Sequence, residues 1–231
     1  MQRLFGEIRN TWPTLVVELA VLILGVSISF AVDQWRRDED DRRYERRALR
    51  LIREGLVEDT TLASRVIVLS SRFKNAHEQL LVGGPPDSID VWMDLAQSYA
   101  DFKRVDWAYR ELLATGNSRI IRHNEILGRL IRAYNTEYDA LDEWDEINRQ
   151  MVLNRIIPYV DDHSPYAPTS VTGTIISGLG AAYDALQTDD RFRNMQRSAA
   201  AYRGAQIAMA EDVKQRVRTL LPAVDSALAT R

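Results

Sequence analysis

A chain of 231 residues with 45% hydrophobic and 27% charged side chains supports one helical domain of ordinary size plus an anchor, and is short for two full domains. Its formal net charge of -3, with both signs mixed along the chain, excludes the strongly basic face expected of a nucleic-acid binder. Cysteine is absent, which excludes disulfides, thiolate nucleophiles and cysteine metal sites and fits a reducing compartment.

Residues 1–14 form an N-terminal segment carrying Arg3 and Arg9. Leu15 to Val32 is apolar except for Glu18; as a helix its 18 residues reach roughly 27 Å, close to a hydrocarbon core of about 30 Å. Residues 15–35 are therefore predicted to form a transmembrane helix. Pro13 suits a first helical turn, and Trp12 and Trp35 stand where interfacial aromatics usually sit. The rival reading is a cleaved signal peptide, but the run is long for one and no small-x-small pattern follows it before Asp33 and Trp35.

The flanking charges set an expected orientation. Arg36, Arg37, Arg42, Arg43, Arg46, Arg47 and Arg50 follow the span closely, so the positive-inside bias places the C-terminal part in the cytoplasm of an inner membrane and the N-terminus outside. The interspersed Asp38, Glu39, Asp40 and Asp41 favour a solvated helix laced by pairs such as Asp38 with Arg42 and Glu39 with Arg43, with anionic lipid contact secondary. Within the span, a carboxylate is costly unless it snorkels, stays protonated or faces a partner. Glu18, Leu22, Gly25, Ser29 and Val32 share one helical face, and Gly25 with Ser29 is a small-xxx-small pair permitting close helix approach, so this stripe is read as a contact face.

Residues 36–231 are expected to form the helical domain, beginning with a stalk helix over 36–82 that no turn signal interrupts before GGPPDS at 83–88. Tyr44, Ala48, Leu51, Gly55, Leu62, Val66, Leu69, Phe73, Ala76 and Leu80 keep nearly heptad spacing. Such a stripe needs cover, either from the rest of the chain or from a second copy in a coiled coil. Short helices are predicted over 88–100 and 105–116. A long one follows, capped by Asn117 or Ser118 and carrying Ile120, Leu127, Ile131, Tyr134, Tyr138, Leu141, Ile147 and Met151. Pro158, Pro165 and Pro168 mark the longest irregular connection. Beyond it come a short helix from Thr174 to Leu186 and a third long helix from Phe192 to Leu228. No segment alternates as a strand, so the expected class is all-α: one transmembrane helix continuing into a cytoplasmic antiparallel bundle. AYRELLATGNSRIIR from Ala108 and AYDALQTDDRFR from Ala182 echo each other, although their intervals are unequal and fit no solenoid period.

Glu18, Gly25, Ala31 and Trp35, with the segment WAYRELLATGNSRIIRHNEILGRLIRAY, resemble an uncharacterised family of bacterial single-pass membrane proteins. In that family a span of glutamate, apolar run, glycine, apolar run and tryptophan precedes a helical domain with a tyrosine, leucine, small residue, glycine and isoleucine pattern. Tyr109, Leu112, Thr115, Gly116 and Ile121 occupy that pattern here, while Ser27 and Ser29 make this span more polar than the family's. The resemblance implies membrane attachment and architecture, with no reaction attached.

Signatures of chemistry are few. There is no GxxxxGK[ST] loop, HExxH, CxxC or ExxH, and the three histidines lie far apart. GLGAAY at 178–183 lacks a preceding strand and a third small residue, which argues against a dinucleotide site. Asp161, Asp162 and His163 form the best candidate cation cluster, although three consecutive residues rarely face one ion, and an exposed polar loop is the preferred reading. Glu137, Asp139, Asp142, Glu143, Asp145 and Glu146 read as a solvated helix face rather than acid/base pairs. Trp107, Tyr109, Tyr134 and Tyr138 read as core or interface.

The expectation is thus a non-enzymatic, single-pass accessory subunit, without cofactor or metal, of a larger membrane assembly of respiratory or photosynthetic type. Its partners would be other membrane subunits and the bilayer, with a second copy as an alternative. The contact residues are Glu18, Leu22, Gly25 and Ser29, with Trp12 and Trp35 as depth markers and Arg36, Arg37, Arg42 and Arg43 as collar. A membrane-tethered adaptor and an unrecognised enzyme are the competing classes.

Overall fold

The computed structural model describes the backbone of residues 2–114, 120–163 and 179–229, and their side chains from residue 17 onward except 86, 87 and 179–182. Several expectations fall outside the described residues: the cap at Asn117 or Ser118, the motif residues Thr115 and Gly116, Pro165, Pro168, the helix start at Thr174, and the side chains of Trp12 and Pro13. Among the described residues there is no strand, and the fold class is all-α.

Helix α1 (Gln2–Val82) contributes to two compact units, Met1–Ala48 and Leu49–Arg231. In the first unit, residues 17–37 are exposed throughout. This stretch lies on the one described helix that is long and apolar enough to cross a membrane.

The second unit begins with a strict seam on α1. Leu49, Ile52, Leu56, Asp59, Ala63, Val66, Ser70, Phe73, His77 and Leu80 are all buried, and their spacing alternates between three and four residues. That is the a/d spacing of a coiled coil, with three polar residues set into it. The partner is in the same chain. Helix α8 (Asp190–Ala229) buries Phe192, Gln196, Ala199, Arg203, Gln206, Ala210, Val213, Val217, Leu220, Val224 and Ala227 at the same alternation. The contacts Arg53 with Asp225, Ser70 with Gln206 and His77 with Gln196 run in opposite directions along the two helices, so they pair antiparallel. The expected stripe caught this seam at Val66, Phe73 and Leu80, took the buried Ala76 in place of its neighbour His77, and strayed to the half-buried Leu51, Leu62 and Leu69, because it passed over the polar seam positions.

Gly83 closes α1 with φ 78, a left-handed conformation that glycine adopts at little cost. The Tyr183 hydroxyl donates to the Leu80 carbonyl at 2.7 Å, satisfying one of the oxygens left free at the helix end. After α2 (Pro86–Ala96) and α3 (Trp107–Ala114), one long helical path runs from Asn124 to His163. It consists of α4 (Asn124–Arg132), α5 (Tyr138–Met151) and α6 (Ile157–His163), joined by π-helical turns at Ala133–Glu137 and Val152–Ile156. Pro158, expected to open an irregular connection, lies inside α6. The π turn just before it, closed by the Ile157 N–H on the Val152 carbonyl, shifts the hydrogen-bond register where the proline ring would otherwise meet a carbonyl one turn back.

α5 packs along α8, antiparallel through Asp145 with Gln206 and Asn148 with the Tyr202 carbonyl, while α7 (Leu179–Thr188) packs on α2 and α8. A core of Leu80, Met93, Tyr159, Leu186 and Phe192 gathers α1, α2, α6, α7 and α8 at one end. Tyr109 stacks on Tyr134 at 4.4 Å, and Tyr134 meets Tyr138 edge-on at 4.9 Å, so these tyrosines are core; Trp107 is exposed.

Between α2 and α3, residues 98–106 form an extended strap. Ala100 and Phe102 are buried, whereas Tyr99, Asp101 and Lys103 are exposed, the alternation of a strand without a neighbouring strand. The strap passes so close to α1 that a Cβ on Gly55 would lie 2.9 Å from the Val105 carbonyl oxygen. Gly55→Ala is therefore expected to displace the strap and destabilise the bundle by about 1–3 kcal/mol in denaturant unfolding. Wild-type stability in that variant would contradict the close approach.

Candidate functional site

Two constellations stand out, one in each unit. On the first, Glu18, Leu22, Gly25 and Ser29 are exposed along α1. A Cβ on Gly25 would meet nothing within 4 Å. The Ser29 hydroxyl donates to the Gly25 carbonyl at 2.9 Å, so the polarity that sets this span apart from the resembled pattern is partly absorbed by its own backbone. The two small residues that would admit a partner are thereby tied together. Trp35 is exposed, and the collar residues Arg36, Arg37, Arg42 and Arg43 all face outward. Arg43 meets Glu39 at 3.2 Å one turn back, an exposed pair of small energetic weight. Trp12, the other depth marker, is helical in backbone, and its side chain lies outside the described residues.

The second constellation is a buried polar cluster that serves the strap. Asp59 on α1 accepts from the Val105 N–H at 2.7 Å and from the Tyr138 hydroxyl at 2.8 Å. Asp145 on α5 accepts from the Phe102 N–H and, at 2.6 Å, from Gln206 Nε2. Gln206 Nε2 also donates to the Ala100 carbonyl at 2.8 Å, and its oxygen accepts from Ser70 at 2.7 Å and Arg203 at 3.3 Å, which fills the hydrogen-bonding capacity of the amide. Arg203 reaches the Ser98 carbonyl at 2.6 Å and lies over the Phe73 ring, 5.2 Å from its centroid. His77 Nδ1 and Gln196 Oε1 are 2.6 Å apart.

Burial dominates the titration of this cluster. It pushes both Asp59 and Asp145 up to about 6, against the hydrogen bonds that favour their charged forms. It pushes Arg203 down to about 10 and His77 down to about 4, with Arg203 adding to the effect on His77. Since both oxygens of each buried carboxylate are taken by donors, these groups are equipped to hold backbone in place.

Asp145 corrects one expectation: assigned to a solvated acidic face, it is 6% exposed and faces inward, while Asp139, Glu143 and Glu146 do face solvent. A one-turn step from Leu141 to Asp145 to Asn148 puts it on the buried side of α5. Asp139 and Asp142 belong to a second group, meeting Arg104 of the strap at 2.7 and 3.3 Å alongside Asp106 at 3.2 Å. Asp161, Asp162 and His163 lie on the last turn of α6 rather than in a loop, with His163 Nδ1 2.8 Å from the Tyr159 carbonyl and its ring stacked on Tyr159. Successive residues on a helix diverge by about 100°. Among the described residues no group of three or more histidine or carboxylate side chains is placed to hold a metal ion. Sequence reading missed Asp59, Ser70, His77, Gln196, Arg203 and Gln206; the available signal was polar residues recurring at seam positions of the two long helices.

Compared with protein-family models, with curated proteins and with solved structures, the chain matches none.

The His77 shift carries a definite sign. The unfolded imidazole takes up its proton near 6.5 and the folded one only near 4, so the unfolded state binds more protons in between and this group's contribution to stability falls as pH drops through that window. Asp59 and Asp145 act oppositely: with folded values near 6 against 3.8 unfolded, they lose stabilising effect as pH rises from about 4 to about 6. Between about pH 4 and 6.5, the stability of wild type relative to His77→Gln is expected to rise with pH, by up to ~1.4 kcal/mol per unit. Denaturant unfolding across that range reads it, and a pH-independent difference would contradict the burial of neutral His77.

Proposed function

We propose that the protein is a non-enzymatic, single-pass, membrane-anchored accessory subunit, which uses its span to bind and stabilise a larger membrane assembly of respiratory or photosynthetic type. One observation carries the reading: α1 holds a carboxylate and a Gly25–Ser29 pair on an open face of a helix long and apolar enough to cross a membrane. A neighbouring helix with a polar group would receive Glu18 without requiring it to snorkel or take up a proton. The arginine excess beyond Trp35 supports a cytoplasmic bundle in an inner membrane, with the collar near anionic headgroups. The engagement of Asp59 and Asp145 by backbone and side-chain donors supports a structural role for the chain's most perturbed carboxylates. The resemblance to a bacterial single-pass family points the same way.

Gentle solubilisation of native membranes and capture through a C-terminal tag is expected to bring down membrane subunits in stoichiometric amount. Gly25→Leu is expected to weaken that recovery by about tenfold or more, while the bundle keeps its wild-type unfolding transition. Undiminished recovery would remove the Gly25 face as the contact. Recovery of the protein alone would contradict the accessory-subunit reading and favour a membrane-tethered adaptor.

A further inference from the structure

The π turn Val152–Ile156 does more than admit Pro158. A π turn widens the helix and carries side chains away from the regular spacing, and here it leaves an open groove of about 740 Å³ against α8. Its floor is the buried Met151 and Met195, soft side chains that adapt to apolar shapes. Asn154 and Arg155 of the π turn form one wall, and Arg191, Asn194 and Ser198 of α8 form the other.

Some of the bundle's arginines are ion-paired and others are not. Arg53, Arg104, Arg110, Arg149 and Arg216 each meet a carboxylate. Among the described residues, neither Arg155 nor Arg191 meets one and no acidic side chain lines the groove. The Arg191 guanidinium lies over the Tyr159 ring at 5.4 Å, while the nearby Asp189 carboxylate is engaged by the Tyr159 hydroxyl and the Arg191 N–H. Asn194 accepts from Arg197 through its oxygen at 3.1 Å, which leaves its N–H groups free to donate.

We propose that this groove binds a phosphomonoester carried on an apolar body. Two guanidinium forks, the Asn194 amide, a hydroxyl and the one Asn154 N–H not given to the Gln150 side-chain oxygen offer more donors than the two oxygens of a carboxylate can accept, and they suit the three terminal oxygens of a phosphate. Two unpaired positive charges match its dianionic form, and the methionine floor takes the apolar part. A cavity of this size suits a small organic ligand.

The test uses the full-length protein in a non-ionic detergent, titrated calorimetrically with phenyl phosphate and with inorganic phosphate, and in nanodiscs with and without phosphatidic acid. Saturable phenyl phosphate binding is expected, at least about tenfold tighter than inorganic phosphate and weakened about tenfold or more by Arg155→Gln or Arg191→Gln. Arg155→Lys is expected to lose less, and unchanged circular dichroism and unfolding show that each variant folds. Binding of phosphatidic acid alone, lost in the same variants, would support the site with a lipid headgroup as its source. Binding of neither compound, or equal binding by the Arg155→Gln/Arg191→Gln double variant, would overturn the proposal. Inorganic phosphate binding as tightly as phenyl phosphate would overturn the role of the methionine floor.

Discussion

A backbone that leaves its helix inside a helical bundle must find partners for its N–H and C=O groups, because each one buried without a partner costs about 1–3 kcal/mol. Residues 98–106 meet this constraint without a sheet. Asp59 holds the Val105 N–H, Asp145 the Phe102 N–H, Gln206 the Ala100 carbonyl and Arg203 the Ser98 carbonyl. Three helices thus lend side chains to one extended segment, and Gly55 supplies the space for it to pass. Much of the arrangement around it follows from that demand.

One consequence is the polar content of the seam. Asp59, Ser70 and His77 on α1, with Gln196, Arg203 and Gln206 on α8, occupy positions that a purely apolar seam would fill with leucine. They cost stability when unpaired, but paired as Ser70 with Gln206 and His77 with Gln196 they fix which turn of α1 faces which turn of α8. The arrangement leaves burial, rather than ion pairing, as the main influence on the titration of the cluster. The face of α1 that carries Gly25 is exposed and meets no such partners among the described residues, and this contrast motivates the reading of that face as a docking surface.

The sequence made the helical class, the apolar span and the extent of α1 beyond the span and of α8 legible, because apolar spacing and turn residues are local signals. The strap was not legible: AQSYADFKRVD contains no strand-like run of β-branched residues, and its conformation depends on side chains 43 to 106 residues away. Asp145 was misplaced for a related reason. Amid Asp142, Glu143 and Glu146 it reads as one more solvated acid, and only the position of Phe102 and Gln206 distinguishes it. Pro158 reads as a helix breaker until the π turn before it is known. Glu18, Gly25 and Ser29 were legible as a face because three- and four-residue spacing in a helix needs no tertiary information.

The most direct measurement is amide hydrogen exchange of Phe102 and Val105 in the folded protein. If side chains from three helices hold the strap as part of the core, these two amides exchange as slowly as those of α8 and only through global unfolding. Exchange at the rate of an ordinary exposed loop would contradict that account.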